Sequence, residues 1–200
     1  MFVNACKMIV RNECEYASCY CEENIWKICE KLKDERDYYV LFISTLDKRV
    51  PIWYQGERKG VCVWDYHVVL CKNQETPIIY DFDTRLSFPC DFGEYIAKSF
   101  ITNLMYEELE DKFSDIRFRV ISSIEFYNNF SSDRSHMMHD GKYSMPPPQW
   151  NLIQMDKNCT HNLDEYRDMS RTNIGQIVNV QGLCNMFKVN FVGLINHVFS

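Results

Sequence analysis

Two apolar runs joined by a short polar loop constrain the fold of this chain most strongly. Residues 60–71 and 77–83 are rich in β-branched and aromatic side chains, and residues 72–76 between them are polar. This pattern predicts a β-hairpin and therefore an antiparallel sheet. With the loop centred on its middle residue, His67 lies directly opposite Asp81 on the same face, with Cβ atoms roughly 5 Å apart. The hairpin thus predicts an imidazole–carboxylate pair.

Further helix-like and strand-like segments surround this hairpin. Strands are predicted at residues 38–43, 50–55, 117–121 and 177–180, and helices at residues 21–33, 91–112, 122–130 and 162–168. Residues 1–17 have no clear period and predict an arm or a short helix, and residues 56–60 predict a charged turn. We expect a single α/β domain over residues 1–200, of the α+β type, in which an antiparallel sheet packs against helices.

The composition limits the classes of function. The net charge of −6 and the pI of about 5.4 argue against nucleic acid as a partner, because phosphate binding needs a basic surface. The most apolar stretch, residues 187–199, is broken by polar side chains and is shorter than the roughly 20 residues that cross a bilayer, so no membrane partner is expected. The N-terminus lacks a secretory pattern, so we expect a cytoplasmic or nuclear protein whose ten cysteines are reduced.

Cys21 begins a predicted amphipathic helix and is the candidate nucleophile. A thiol at a helix N-terminus lies among unpaired N–H groups, which favour the thiolate. With His67 as the base and Asp81 as the acid that orients the imidazole, Cys21 has the partners that acyl transfer from an amide requires. A nucleophile on a helix followed by a base and an acid on strands is the order of papain-like and transglutaminase-like cysteine hydrolases.

Other interpretations of these residues remain open at this point. Cys19 lies two residues from Cys21 and competes with it as the nucleophile, and Asp83 competes with Asp81 as the orienting acid. Any one cysteine of a reduced protein can simply fill the core. A zinc site is a weaker alternative, because its cysteines lack the paired C-x-x-C spacing of structural zinc. Its candidate ligands are Cys14, Cys19, Cys21 and Cys29 with His136 or His139.

Several longer motifs carry a resemblance to a known family. They are Ser-Cys-Tyr-Cys-Glu-Glu-Asn-Ile-Trp-Lys at residues 18–27, Trp-Asp-Tyr-His-Val at 64–68, Tyr-Asp-Phe-Asp-Thr at 80–84, Phe-Pro at 88–89, Ser-Asp-Arg-Ser-His-Met at 132–137 and Pro-Pro-Pro at 146–148. In this order they closely resemble the protein N-terminal glutamine amidohydrolase family, which is named for its WDYHV motif. The resemblance is strongest over about residues 14–150 and weaker over 160–187. Residues 170–187 fit the family poorly, and residues 188–200 form an extra tail.

The resemblance implies an enzyme that converts the N-terminal glutamine of proteins to glutamate and releases ammonia, as a step of the N-degron pathway. It assigns Cys21 as the nucleophile, His67 as the acid–base and Asp81 as the residue that orients His67. No metal and no organic cofactor are expected. The implied partners are proteins or peptides that begin with glutamine, and we expect the enzyme to be a monomer.

Specificity for a chain terminus requires a group that binds the substrate α-ammonium. The candidates are Glu22, Asp65, Asp83 and Asp133 for the ammonium, and Trp64, Tyr66 and Phe130 for the pocket wall. The backbone N–H of Cys21 is the first candidate for stabilising the oxyanion. Two other functions remain open: another thiol hydrolase or acyl transferase, such as a protease or a transglutaminase-like enzyme, and a non-enzymatic protein that binds protein N-termini.

Overall fold

Short apolar runs form a central antiparallel sheet, because their side chains alternate between two faces that helices cover. The computed structural model describes residues 8–56, 59–155 and 157–200. Residues 1–7 of the predicted arm and 57–58 of the predicted turn lie outside these ranges. The strands are β1 (Tyr38–Ser44), β2 (Val50–Trp53), β3 (Val61–Trp64), β4 (His67–Lys72), β5 (Ile78–Tyr80), β6 (Cys90–Asp91), β7 (Arg117–Ser122), β8 (Ser131–Ser132), β9 (Met138–His139), β10 (Lys142–Tyr143), β11 (Ile153–Gln154) and β12 (Gln176–Val178).

The central sheet contains six strands in the order β12-β7-β1-β4-β5-β6, and neighbouring strands in it pair antiparallel. The other strands form three two-stranded ribbons, β2–β3, β8–β11 and β9–β10. The predicted class, a mixed α/β protein with an antiparallel sheet packed against helices, is confirmed.

Helices cover both faces of the sheet. They are α1 (Cys21–Lys31), α2 (Phe92–Ser99), α3 (Glu107–Asp115), α4 (Ser123–Asn129), α5 (Leu163–Arg167), α6 (Val180–Met186) and α7 (Phe191–Val198), with 3-10 turns at Arg11–Glu13, Ile101–Met105 and Ser135–Met137. Side chains of α1, α4 and α5 join Phe42 and Val68 on one face, and side chains of α2 and α6 join Ile43 and Val69 on the other. Within the described ranges, no helix is long and apolar enough to cross a bilayer.

The central hairpin has a different register from the predicted one. Leu70 pairs with Tyr80 and Lys72 with Ile78, so the strands are shifted by two residues from the register that places His67 opposite Asp81. The predicted run of residues 60–71 is also not one strand, because it divides between β3 and β4 at Asp65 and Tyr66. A two-residue shift keeps every side chain on its predicted face, so the imidazole and the carboxylate still point the same way.

The predicted helix over residues 91–112 divides into α2, the 3-10 turn Ile101–Met105 and α3, and other predicted boundaries differ at the ends of the elements. The first helix ends at Lys31 rather than at residue 33. The predicted final strand ends at Val178, because the Asn179 side chain accepts a hydrogen bond from the Gly182 N–H at 2.8 Å and begins α6. Residues 188–200, beyond the family resemblance, include α7, whose apolar side chains pack against the same core as α2.

A buried arginine fastens the C-terminal segment to the sheet. The guanidinium of Arg119, on β7, is fully buried and donates to the carbonyl groups of Tyr166, Asp168, Arg171 and Ile174. One side chain therefore satisfies four backbone acceptors between Tyr166 and Ile174.

We expect Arg119→Leu to lower the free energy of unfolding by about 3 kcal/mol, because four carbonyl groups lose their donor. The matched control is Arg117→Leu on the same strand, whose side chain donates to the nearby carbonyls of Ser114 and Ile116. Its expected loss is below about 1 kcal/mol. Urea unfolding followed by circular dichroism measures both, and equal losses would contradict the fastening role.

Candidate active site

The first turn of α1 delivers Cys21 to the end of the sheet. Cys21 is the first helical residue and is 7% exposed. Cys19, two residues earlier, has a left-handed backbone (φ +67°) and is exposed, so the two thiols lie in different environments. The Cys21 thiol donates to Oε2 of Glu22 at 3.6 Å.

His67 and Asp81 form a fully buried hydrogen bond. His67 opens β4, and its Nε2 lies 2.8 Å from Oδ1 of Asp81, with both side chains 0% exposed. Asp81 follows the last residue of β5, where the chain turns and the Asp83 N–H donates to the same oxygen at 2.9 Å. Asp81, not Asp83, is therefore the carboxylate that hydrogen-bonds the ring.

The second ring nitrogen of His67 differs from the first in its surroundings. Nδ1 is buried and has no hydrogen-bond partner among the described residues. Trp64 stacks on the ring with centroids 5.1 Å apart and fixes its plane. α1 packs against β4, and the backbone of Val68, the residue after His67, acts to lower the pKa of the Cys21 thiol.

Burial and nearby carboxylates set the protonation of this group. Burial raises the pKa of the Cys21 thiol well above its usual value, and the charges of Glu22 and Asp83 add to this rise. Burial lowers the pKa of His67, but the charge and hydrogen bond of Asp81 outweigh burial and raise it overall. Burial raises the pKa of Asp81, whereas His67 and further donors lower it below its usual value. The helix start favours a thiolate, but the surroundings outweigh it, so the resting thiol is neutral.

Two of the four candidate ammonium-binding carboxylates lie at this site. Glu22 is 0% exposed and accepts from the Tyr66 hydroxyl at 2.9 Å through Oε2. Its Oε1 has no hydrogen-bond partner in the described ranges, although Nε2 of His136 lies 3.4 Å away without hydrogen-bond geometry. Asp83 is partly buried, accepts from the Tyr16 hydroxyl at 2.8 Å, and lies within 4.8 Å of the ligand atoms of the His67–Asp81 pair.

The other two candidates are engaged elsewhere. The side chain of Asp65 is 57% exposed and lies 3.4 Å from Arg167. Asp133 accepts from the Ser135 N–H at 2.9 Å and lies 3.1 Å from Nδ1 of His161. These contacts orient loops and leave neither carboxylate at the thiol.

The three aromatic candidates occupy different positions. Trp64 covers the His67 ring, and Tyr66 reaches Glu22 through its hydroxyl. Phe130 is 0% exposed and packs in the core against Phe126 and Tyr166. Trp64 and Tyr66 therefore border the triad, whereas Phe130 supports the layer behind it.

The zinc alternative has no support in the geometry. In residues 8–56, 59–155 and 157–200, one group has ligand atoms close enough for a metal, namely His67, Asp81 and Asp83. Both oxygens of Asp81 in that group already accept hydrogen bonds. Cys14, Cys19 and Cys29 do not belong to it.

Sequence analysis missed the ion pair that supports α1 from behind. Glu23 is fully buried, and Arg134 donates to its two oxygens at 3.0 and 2.9 Å. Trp150 adds an indole N–H at 2.8 Å. The left-handed backbone of Arg134 (φ +62°) is the kind of conformation that persists where tertiary contacts fix it. The Ser-Asp-Arg-Ser-His motif thus holds α1, the helix that begins at Cys21.

Comparison with known proteins places most of the chain in one family. Residues 16–187 match the family model described as N-terminal glutamine amidase. A Danio rerio protein named protein N-terminal glutamine amidohydrolase is 36% identical over 189 residues, which are 89% of this chain and 91% of the relative. Relatives with the same name from Bos taurus and Homo sapiens are 41% and 40% identical over 169 residues, with about 80% of each chain covered. The matched range includes Cys21, His67 and Asp81.

We expect Arg134→Met to lower the free energy of unfolding by about 3–5 kcal/mol, because Glu23 would stay buried without its counter-charge. The double variant Glu23→Gln/Arg134→Met should be more stable than Arg134→Met alone. Arg171→Met, at an arginine that is 48% exposed, is the control and should cost less than about 1 kcal/mol. Thermal and urea unfolding measure the three, and a double variant less stable than Arg134→Met would contradict the pairing.

Proposed function

Because this chain belongs to the N-terminal glutamine amidase family and is an amidohydrolase that acts on N-terminal glutamine, we propose that its reaction runs through Cys21, His67 and Asp81. The observation that carries this proposal is the buried 2.8 Å hydrogen bond between His67 and Asp81, and a buried thiol at the start of the helix that packs against the His67 strand supports it. Among the described residues, Nδ1 of His67 has no hydrogen-bond partner, and the Cys21 thiol donates to Glu22. An imidazole with an available nitrogen and a thiol are the parts of a cysteine hydrolase.

The first half of the reaction forms a thioester. The Cys21 sulfur attacks the side-chain amide carbon of the substrate glutamine, and the thiol proton passes to Nδ1 of His67. His67 then gives this proton to the amide nitrogen, the carbon–nitrogen bond breaks, and ammonia leaves. Asp81 stabilises the imidazolium that exists between these two transfers.

The second half regenerates the enzyme. His67 takes a proton from water, the hydroxide attacks the thioester carbon, and the carbon–sulfur bond breaks. The proton returns to the sulfur, so one glutamine side chain and one water yield one glutamate side chain and one ammonia. In both halves the oxyanion lies at the start of α1, where the Cys21 N–H is free of intrahelical bonds.

We also propose that this arrangement is of the papain-like or transglutaminase-like type. A nucleophile at a helix start faces an imidazole and a carboxylate that come from two neighbouring antiparallel strands. Only 7% of Cys21 is exposed, so the narrow side chain of a terminal glutamine reaches the thiol more easily than an internal peptide bond does. This favours an amidohydrolase over a protease or a protein-crosslinking acyl transferase.

The cellular setting follows from the resemblance and the composition. We place the reaction in the N-degron pathway, in the cytoplasm or nucleus, performed by a monomer on proteins or peptides that begin with glutamine. The new glutamate then marks the substrate for the later steps of that pathway.

We expect Cys21→Ser to lower the rate of ammonia release at least about a thousandfold, because a hydroxyl is a much weaker nucleophile here. The melting temperature should change little, since the hydroxyl is close to the thiol in size. Peptides that begin with glutamine, begin with asparagine or carry internal glutamine, assayed for ammonia and for a mass gain of about one dalton, define the substrate. Ammonia from internal glutamine would favour the acyl-transferase alternative, and binding without turnover would favour the non-enzymatic one.

Among the four candidate carboxylates, we propose Glu22 as the one that binds the substrate α-ammonium. Its buried Oε1 has no hydrogen-bond partner among the described residues, and a buried carboxylate of this kind is stabilised by a cation. Tyr66 holds the other oxygen, so the carboxylate is fixed beside the thiol. Asp83 is the next candidate, since it also lies at the triad.

We expect Glu22→Gln to raise KM for a glutamine-initiated peptide roughly 10- to 100-fold, the value of one charge-assisted hydrogen bond. The ratio of its kcat/KM for the free peptide to that for the N-acetylated peptide should fall by a similar factor. Asp83→Asn, Asp65→Asn and Asp133→Asn are the comparison set. If one of these variants, rather than Glu22→Gln, loses discrimination between the two peptides, the ammonium site lies there instead.

A further inference from the structure

The carboxylate of Asp81 accepts four hydrogen bonds, and two of them come from residues with no assigned role. His67 Nε2 and the Asp83 N–H engage Oδ1 at 2.8 and 2.9 Å. The Gln55 amide and the Tyr95 hydroxyl both donate to Oδ2 at 2.9 Å. All four side chains concerned, those of Asp81, His67, Gln55 and Tyr95, are buried.

Gln55 is held in place by a short turn rather than by a regular strand. Tyr54 has a left-handed backbone (φ +59°), and the chain on either side of Gln55 pairs with the segment after Asp81. The Gly56 N–H donates to the Asp83 carbonyl at 2.7 Å, and the Arg85 N–H donates to the Tyr54 carbonyl at 2.8 Å. Only the nitrogen of an amide can face a carboxylate, so the orientation of Gln55 is fixed by Asp81.

Tyr95 reaches the same oxygen from a different element. It lies on α2, which covers the sheet face to which His67 points, and its ring packs edge-on against Phe100 with centroids 5.8 Å apart. Burial, followed by the charge of Asp81, raises the pKa of Tyr95 well above its usual value, so its hydroxyl stays a donor throughout the working pH range.

We propose that Gln55 and Tyr95 are positioning residues of the reaction, which hold Asp81 ionised and aimed at Nε2 of His67. This inference rests on the proposed role of the triad. When two fixed donors hold one oxygen of a carboxylate, the carboxylate cannot rotate away from the imidazole. It also does not easily take up the proton of the imidazole.

The charges around the pair determine the direction of the expected effect. His67 is faced by Asp81 and Asp83 from the hairpin and by Glu22 from α1, and Asp81 is faced by Tyr95 and Gln55. When a donor to Oδ2 is lost, the negatively charged state of the pair, with neutral His67 and ionised Asp81, becomes less stable. The pair then binds its proton at higher pH. Since the resting thiol is neutral, the reaction needs unprotonated His67, and the acid limb of kcat/KM moves to higher pH.

The test uses Tyr95→Phe, which removes the hydroxyl, and Gln55→Glu, which replaces the donor by a carboxylate of the same shape. We expect the acid limb to move up by roughly half to one pH unit in Tyr95→Phe. The shift should be larger in Gln55→Glu, because two carboxylates then share a proton. KM should change less than kcat. Tyr39→Phe is the matched control, because its ring packs against Phe187 away from Asp81, and its limb should not move.

The position of the limb does not depend on how much of the variant is folded. Rates that fall by one factor at every pH, with the limb unmoved in both variants, would show a merely structural role and overturn the proposal. Wild-type rates and limb in both variants would overturn it as well.

A second measurement does not depend on turnover. In the Cys21→Ala background, nitrogen-15 NMR of His67 should show its titration midpoint rising when Gln55→Glu or Tyr95→Phe is added, and an unchanged midpoint would overturn the proposal. If the unmodified protein releases no ammonia at any pH, the proposed function fails, and this titration still decides the positioning role.

Discussion

The buried hydrogen bond between His67 and Asp81 is the interaction on which the rest of the site depends. Both side chains are 0% exposed, so bulk water does not reach the carboxylate, and the protein supplies its donors. Those donors come from the turn at Gln55, from Tyr95 on α2 and from the backbone of Asp83. Three separate parts of the chain therefore hold one carboxylate, and this carboxylate orients the imidazole of His67.

Cys21, the proposed nucleophile, lies in an acidic environment. Burial and the carboxylates of Glu22 and Asp83 favour the neutral thiol. In the proposed mechanism, the thiolate therefore forms as the thiol proton passes to His67 during attack. A neutral resting thiol is also less exposed to oxidation than a standing thiolate.

The two buried glutamates at the start of α1 have different partners. Glu23 is neutralised by Arg134 and helps to fasten the helix. Glu22 has a tyrosine hydroxyl on one oxygen and no arginine or lysine ion pair in the described ranges, and it faces the thiol. Adjacent residues of one type thus take a supporting role and a site-facing role, because successive helical side chains point about 100° apart.

The sequence by itself determined the local facts: the apolar alternation of the hairpin, the helix that begins at Cys21, and the family to which the motifs belong. It also placed His67 and Asp81 on one face, and this survived a register that was wrong by two residues, since strands alternate with period two. Only the tertiary structure decided that Gln55 and Tyr95, from distant parts of the chain, meet Asp81, and that Arg134 pairs with Glu23. Those contacts join elements through packing rather than through spacing along the chain, and no periodic pattern in the sequence records them.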